Sequence, residues 1–359
     1  MIKSVYIHIP FCDQICSYCD FCKMFYSTNL VNKYLKELKN EVLKNYKNEE
    51  IETLYIGGGT PSCLSIDELK QLFEIISIFK LSKNYEFTFE CNLNINYEKL
   101  EFLYKNKVNR LSFGVQSFNE NNLKFLNRKH TKEDIFNTIN DSKKIGFENI
   151  NIDLIYALPN QTLNDLENDL DLFLKLDVNH ISTYSLIIEP NTMLYNSKVK
   201  NIDEDLDYEM YKLIINKLKG YNHYEISNFA KKGYESKHNL TYWNNLEYYG
   251  FGLSASGYIK NIRYDNTRSI NEYLKGNYIL NKEEIDLDKK LEYEFILGFR
   301  KINGISINDF YKKYNLKILD NPIISKLIKE EKLIKNNENI YINPKYIYVE
   351  NTILEEFVN

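Results

Sequence analysis

From residue 3 to residue 188 the chain keeps one beat: a short β-branched or aromatic run, a turn, then an amphipathic stretch. Residues 3–9, 53–56, 85–91, 110–115, 149–156 and 180–188 read as strands. Between them apolar residues recur at three- and four-residue steps. Ser27 or Thr28 caps the first helix, whose stripe is Val31, Leu35, Leu38, Val42 and Tyr46. Residues 66–79 follow, with Asp67 and Glu68 in the first turn, where the helix dipole favours them. Residues 119–127, 132–144 (ended by Gly146) and 163–176 supply the other helices. Strands that alternate with helices pair in parallel through right-handed crossovers. Six such repeats fit an α/β fold built on an open, partial (β/α)6 barrel. Barrel sites gather at the C-terminal ends of strands, so the loops that leave these strands share one mouth.

Two of those loops carry unusual chemistry. The first holds four of the chain's six cysteines. Cys12, Cys16 and Cys19 follow a C-x3-C-x2-C pattern, with Phe11, Tyr18 and Phe21 beside them. Three thiolates on one short loop can grip a cubic iron–sulfur cluster by three corners and leave the last iron open to a chelating ligand, whereas cubanes usually take four cysteines. Counting Cys22, the run becomes C-x3-C-x2-C-x2-C, which could close a four-cysteine site. Zinc usually takes two separated pairs, so a closed electron-transfer cluster is the nearer rival. The bland reading makes Cys22 a spectator thiol just past the loop. The second loop, Gly57-Gly58-Gly59-Thr60-Pro61, lets a main chain approach a ligand closely. Its exposed amides and carbonyls can bind a carboxylate and an amine.

Composition narrows the setting. The chain has 359 residues, 43% of them apolar, and a net charge of −4. That is ample for a sizeable core, and no broad basic field points to nucleic acid. No apolar leader and no run of eighteen apolar residues is present, so a cytoplasmic protein without export signal or membrane span is expected. Disulfides do not suit that compartment. After Pro190 the beat stops. Residues 203–218 read as an amphipathic helix, 221–228 as extended, and 235–258 as aromatic and glycine-punctuated without a period. From residue 288 onward, helices at 288–299, 307–314 and 323–331 lead to a hairpin around 336–339. The expected division is a core over 1–190, an α+β extension over 191–285, and a small helical or winged-helix-like tail over 286–359.

Several side chains could carry chemistry. Glu90 ends a strand and is either an outward carboxylate or a buried hydrogen-bond acceptor. Gln116 can donate and accept. Arg128 is a fork suited to a carboxylate, or a solvated helix-end cation. Asp153 interrupts an apolar strand, and an unpaired buried carboxylate is costly, so it needs a partner. His238, beside the single tryptophan Trp243, is by its chemistry alone more often a satisfied polar residue than a ligand. His8 orients the cysteine loop. His130, His180 and His223 read as structural, and Cys63 and Cys91 as buried small side chains.

Taken together, Tyr6-x-His8-x-Pro10-Phe11-Cys12, Tyr18-Cys19-Asp20-Phe21, the triple-glycine turn, Gly114-Val115-Gln116-Ser117-Phe118, Leu126-Asn127-Arg128 and Asp153-Leu154-Ile155-Tyr156-Ala157-Leu158-Pro159 resemble the motifs of the radical S-adenosylmethionine (SAM) enzymes. The closest likeness is to the branch that holds the oxygen-independent coproporphyrinogen III dehydrogenases and their haem-chaperone relatives. Tyr224-Glu225-Ile226-Ser227-Asn228-Phe229-Ala230 and His238-Asn239-x-x-Tyr242-Trp243 are similar to the chaperone side, as is Phe21, where the dehydrogenases carry a further cysteine. The start of the chain five residues before Tyr6 points the same way, because the dehydrogenases carry an N-terminal extension.

This resemblance implies a [4Fe–4S] cluster on Cys12, Cys16 and Cys19, with SAM on the open iron. It implies SAM contacts from Tyr6, Tyr18, Gly58, Gly59, Thr60, Glu90, Gln116, Arg128 and Asp153. It also implies haem at His238, flanked by Tyr242 and Trp243. The implied function is a haem chaperone that passes haem to an acceptor protein. The alternative is a dehydrogenase that oxidatively decarboxylates coproporphyrinogen III. Any SAM cleavage would need an electron donor. Peripheral membrane association and a homodimer are compatible with this picture; a nucleic-acid partner is not expected. The sequence departs from the family at Ala157 (usually glycine), at Asn92-Leu93 (no proline), and at Leu253-Ser254-Ala255-Ser256 in place of Gly-Ala-His-Ser, which removes one alternative haem ligand.

Overall fold

A computed structural model describes residues 1–358. Contacts divide the chain into two units: 1–217 with 247–284, and 218–246 with 285–359. The sequence reads 191–285 as one extension. The structure instead shares that stretch between the units.

The first unit is built on a parallel sheet. Its strands are β1 (Ser4–Ile9), β2 (Glu50–Gly58), β3 (Lys80–Cys91), β4 (Arg110–Gln116), β5 (Asn149–Tyr156), β6 (His180–Ser185) and β7 (Tyr249–Phe251). They lie in the order β7-β1-β2-β3-β4-β5-β6, and each of these neighbouring pairs is parallel. Consecutive strands joined by right-handed crossovers place every helix on one face, the arrangement of a partial barrel. Those helices are α1 (Thr28–Asn45), α2 (Ile66–Ile76), α3 (Tyr97–Lys105), α4 (Glu120–Phe125), α5 (Lys132–Ile145) and α6 (Leu163–Lys175). Capping boxes start three of them: Ser65 with Glu68, Thr131 with Asp134, and Thr162 with Asp165. On α1, Val31, Leu35, Leu38 and Val42 are buried, each stabilising the fold by about 1.5–3 kcal/mol. Glu41 lies in the same buried stripe. It accepts from Tyr273 Oη, Gly252 N and Asn266 Nδ2, which ties α1 to the segment after β7.

The two faces of the sheet differ in kind. Side chains alternate along a strand, and the register aligns them across strands. Ile7, Ile56, Phe89, Leu111 and Ile150 form one row, and all are fully or almost fully buried. The opposite face is polar. Tyr6, Tyr55, Thr88 and Arg110 share a row. Above it Glu90 stands opposite Ser112, Ser112 opposite Asn151, and Asn151 opposite His180. Higher still, Gly114 stands opposite Asp153, and Asp153 opposite Ser182.

In the remainder of this unit, strands Ser256–Ile259, Ile262–Asn266 and Ile279–Glu284 form an antiparallel sheet. The helix expected over 203–218 is Glu204–Lys217. The second unit contains the hairpin Asn222–Glu225 and Asn228–Ala230, then the short helix Lys237–Trp243. Next come helix Leu287–Gly298, strand Ile305–Ser306, helices Ile307–Tyr314 and Pro322–Lys329, and the strands Leu333–Lys335 and Asn339–Ile342. That helix–strand–helix–helix–hairpin order is the order of a winged helix. Asn336 N donates to Asn339 O at the hairpin turn, where the sequence places it. Among the described residues no helix is long and apolar enough to cross a membrane.

Candidate functional site

The cysteine loop leaves β1 and is held at several points. Cys12 is buried and Cys16 and Cys19 are half-buried; all are free thiols. Ser17 N donates to Leu126 O and Ser17 Oγ to Phe125 O, which fixes the middle of the loop on the end of α4. Lys23 Nζ donates to Cys19 O. Thr60 Oγ1 lies 3.8 Å from Cys12 Sγ, and Arg128 Nη1 lies 3.5 Å from Cys16 Sγ. Burial pushes the Cys12 thiol up to about 12, and Cys19 and Cys16 add to the rise. The Cys12 sulfur therefore feels the charge of the other two, and metal binding must displace its proton. Cys22 is different. Its Sγ lies 3.9 Å from Arg268 O, and its proton affinity answers to burial, Arg268 and Lys23 rather than to the other thiols.

His8 joins this loop to the inner face. Its Nε2 is 2.8 Å from Cys22 O and its Nδ1 3.0 Å from Tyr6 Oη. A carbonyl only accepts, so Nε2 carries the proton and Nδ1 accepts from the Tyr6 hydroxyl. Burial lowers the imidazole to about 4, so it stays neutral and this tautomer is kept.

The triple-glycine turn fits around three neighbours. A Cβ on Gly57 would stand 2.8 Å from the Glu90 carboxyl, and one on Gly58 would stand 2.7 Å from the His8 ring. One on Gly59 would meet Phe11 O at 2.7 Å and Cys12 Sγ at 2.9 Å. Gly58 also has φ +116°, a conformation that side chains rarely adopt. The absent side chains bring this backbone against the cysteine loop, and Gly59 N and Thr60 N donate to Ile9 O and Phe11 O.

Glu90 faces inward. Tyr55 Oη donates to its Oε1 at 2.7 Å and Gly58 N to its Oε2 at 3.1 Å. Burial lifts this carboxyl to about 7, more than these donors lower it. Asp153 accepts from Asn151 Nδ2 at 2.8 Å, and burial raises it too. Gln116 has φ +67°, and its Oε1 is buried without a partner. Arg128 donates through Nη2 to Gly114 O, while its Nε lacks a partner. Tyr18 packs on the cluster Leu126, Ile155, Leu158, Leu186 and Leu194, and burial raises its hydroxyl strongly. The structure thus brings Tyr6, Gly58 and Glu90 together on one side, and Tyr18, Arg128 and Asp153, which act on one another's charge, on another. Three thiols on one loop suit a cluster. The buried orphan atoms of Gln116 and Arg128 suit a polar ligand, because buried polar groups are otherwise paired.

Sequence reasoning missed three inner-face residues: Arg110, Asn151 and Ser182. Their signal is alternation, since each sits one residue from an apolar position in its strand. His180, read as structural, joins them through Nδ1, 2.6 Å from Asn151 Oδ1. Cys63 and Cys91 are buried, as expected.

The histidine motif of the second unit is folded into the helix Lys237–Trp243, capped by Ser236. His238 is 1% exposed. Its Nε2 is 2.8 Å from Tyr242 Oη, one helical turn on, where side chains meet. Arg300 lies over the Trp243 ring at 5.9 Å, and Trp243 Nε1 has no partner. The glycines after it are structural. A Cβ on Gly250 would collide with Ser256 O, and one on Gly257 with the Tyr264 ring.

A three-cysteine loop and a glycine turn at the C-terminal edge of an open parallel barrel define a radical SAM protein, and the sequence profile of the Radical SAM superfamily matches residues 6–173. Over its full length the chain is 40% identical to the Heme chaperone HemW of Bacillus subtilis (strain 168), covering 99% of each protein. It is 39% identical to the Heme chaperone HemW of Lactococcus lactis subsp. lactis (strain IL1403), over 99% of this chain and 97% of that one. The chain belongs to the HemW family. Its fold is also that of the coproporphyrinogen III oxidase HemN from Escherichia coli, a radical SAM enzyme: TM-score 0.87 over 99% of this chain and 90% of that one, at 23% identity.

Proposed function

We propose that this protein is a haem chaperone that carries a [4Fe–4S] cluster, SAM and haem and hands haem to an acceptor protein. Cys12, Cys16 and Cys19 hold the cluster, which when bound supplies an open iron for SAM and a route for one electron. Gly58, Gly59 and Thr60, whose N–H groups are already engaged, offer backbone carbonyls to the ammonium of SAM. Tyr6, Tyr18, Glu90, Gln116, Arg128 and Asp153 orient the rest of it. His8 keeps the far end of the cysteine loop in place through Cys22 O. Haem is bound at His238, with Tyr242 and Trp243 beside it. Ligation through Nε2 requires His238 to release the Tyr242 hydroxyl, and the helix must let the ring out of its buried position.

The observation that carries this reading is the end-to-end relation to HemW proteins, which includes the helix with His238. The test is anaerobic reconstitution of wild type and His238→Ala, followed by absorption for both cluster and added haem. Wild type should take up both, and the variant should keep the cluster and lose most haem binding. Full haem binding by the variant would place the haem elsewhere. The likeness of fold to HemN keeps a second reading open, decarboxylation of coproporphyrinogen III. Incubation with SAM, a reductant and that substrate separates the two, because turnover rejects a chaperone-only role.

A further inference from the structure

Arg110 brings a charge to the inner face that the SAM contacts above do not include. It opens β4 opposite Thr88, and Glu90 stands opposite Ser112. Arg110 therefore projects from the same face, one row below Glu90. It is 2% exposed and among the largest fully buried side chains. Its hydrogen bonding is thin: Nη1 reaches Thr88 Oγ1 at 3.4 Å, and Nε has no partner. A guanidinium taken this far from water needs anions close by. Glu90 on β3 and Asp153 on β5 both feel its charge. The other titratable groups on this face are Tyr6 on β1, Tyr55 on β2 and His180 on β6, with Arg128, which bonds Gly114 O and acts on Asp153. The tyrosines feel Glu90, and burial, with Arg110, keeps His180 neutral.

The charges can be counted. With Arg128, which also acts on Asp153, two guanidiniums face the two carboxylates. SAM carries a sulfonium, an ammonium and a carboxylate, which leave a single positive charge. We infer that Arg110 is a positioning residue for SAM. Its buried charge favours the anionic forms of Glu90 and Asp153, so that both can accept hydrogen bonds from a cationic ligand. The inference rests on the SAM reading of this site. A purely structural arginine would be expected to spend its donors on backbone carbonyls, yet among the described residues its hydrogen bond is a long one to a threonine hydroxyl. Burial has already lifted Glu90 to about 7 with Arg110 among the groups that lower it, so loss of the guanidinium lifts it further.

The test uses anaerobically reconstituted full-length wild type, Arg110→Gln and Arg110→Lys. Calorimetry gives SAM affinity from about pH 6 to about pH 9, and infrared spectroscopy follows carboxyl protonation in the ligand-free proteins, with Glu90→Gln assigning the Glu90 band. Wild-type affinity should rise as pH passes about 7. In Arg110→Gln the midpoint of that rise and of the Glu90 band should move up, by on the order of one unit. Affinity should fall about fivefold at pH 7 and return at high pH. Arg110→Lys should keep the wild-type midpoint. Three results would overturn the inference: an unmoved midpoint, a loss of affinity independent of pH, or an Arg110→Gln protein that cannot fold with its cluster while Arg110→Lys can, since that assigns Arg110 to folding. If wild type takes no SAM, the reading of the site fails instead, and the ligand-free infrared midpoints still decide what Arg110 does.

Discussion

On the inner face of the parallel sheet, Gln116 Oε1, Arg110 Nε and Arg128 Nε are buried without a partner. In the helix Lys237–Trp243, His238 is equally buried, yet its Nε2 is already engaged by the Tyr242 hydroxyl. The two regions are therefore prepared differently. The first holds polar capacity that a ligand can satisfy at once, with its backbone already shaped by three glycines. The second must break a bond before its histidine can coordinate anything. A chaperone has reason to be built this way: cofactors that stay belong in a preformed site, while a cargo that must leave belongs where letting go restores a bond the protein makes by itself.

The largest test of this contrast is at the cysteine loop. Cys12→Ser should cut bound iron and sulfide by about an order of magnitude in anaerobic assays, and Cys22→Ser should leave them near the wild-type level. Equal losses would give Cys22 a place in the cluster site.

Next comes Glu90→Gln. Loss of a charged acceptor should weaken SAM by about 1.5–3 kcal/mol in calorimetry and flatten its pH dependence. Burial holds this carboxyl at about 7, so the anion, and with it SAM affinity, grows as pH rises through that value. Stability runs the other way. The folded state holds this proton more tightly than the unfolded state does. Glu90's contribution is therefore fully present below the ordinary value of 4.5 and is lost as pH climbs to about 7.

A smaller effect sharpens the other side. Tyr242→Phe frees His238 Nε2 and should tighten haem binding by about 1 kcal/mol, roughly fivefold, in absorption titrations. Weaker binding would mean that the Tyr242 hydroxyl itself serves the haem. Smallest is Ala157→Gly. Ala157 sits at φ +59°, where a Cβ is unwelcome. Glycine should stabilise the fold by up to about 1 kcal/mol and raise the thermal midpoint by about 2 °C.

The strand–helix beat was legible because each core strand alternates with a helix that carries a clear apolar stripe. Where the stripe thins, legibility fails. Helix α3 buries only Leu100 and Leu103 among its nine residues, too few to show a period. Strand β7 is three residues long and is made a strand by its neighbour β1, a tertiary effect. Strand β3 begins at Lys80, well before residue 85, because its partly exposed Lys-Leu-Ser-Lys start pairs with Glu50 and Ile51 on β2 and shows no apolar pattern. The site follows the same rule. The cysteines and glycines are contiguous and readable, whereas Arg110, Asn151 and Ser182 acquire meaning only when the register sets them side by side. The stretch before Trp243 shows its residues but not that His238 is buried.

The triple-glycine turn has a consequence for how this sequence can change. Gly57, Gly58 and Gly59 are each barred from a side chain by different neighbours: a carboxylate, an imidazole, and a backbone carbonyl together with a sulfur. No one compensating substitution can relieve all three. Drift at any one position would need a matched change on another strand or loop. The turn works as a gauge that keeps Glu90, His8 and Cys12 at fixed spacing, whatever happens to the surface around them.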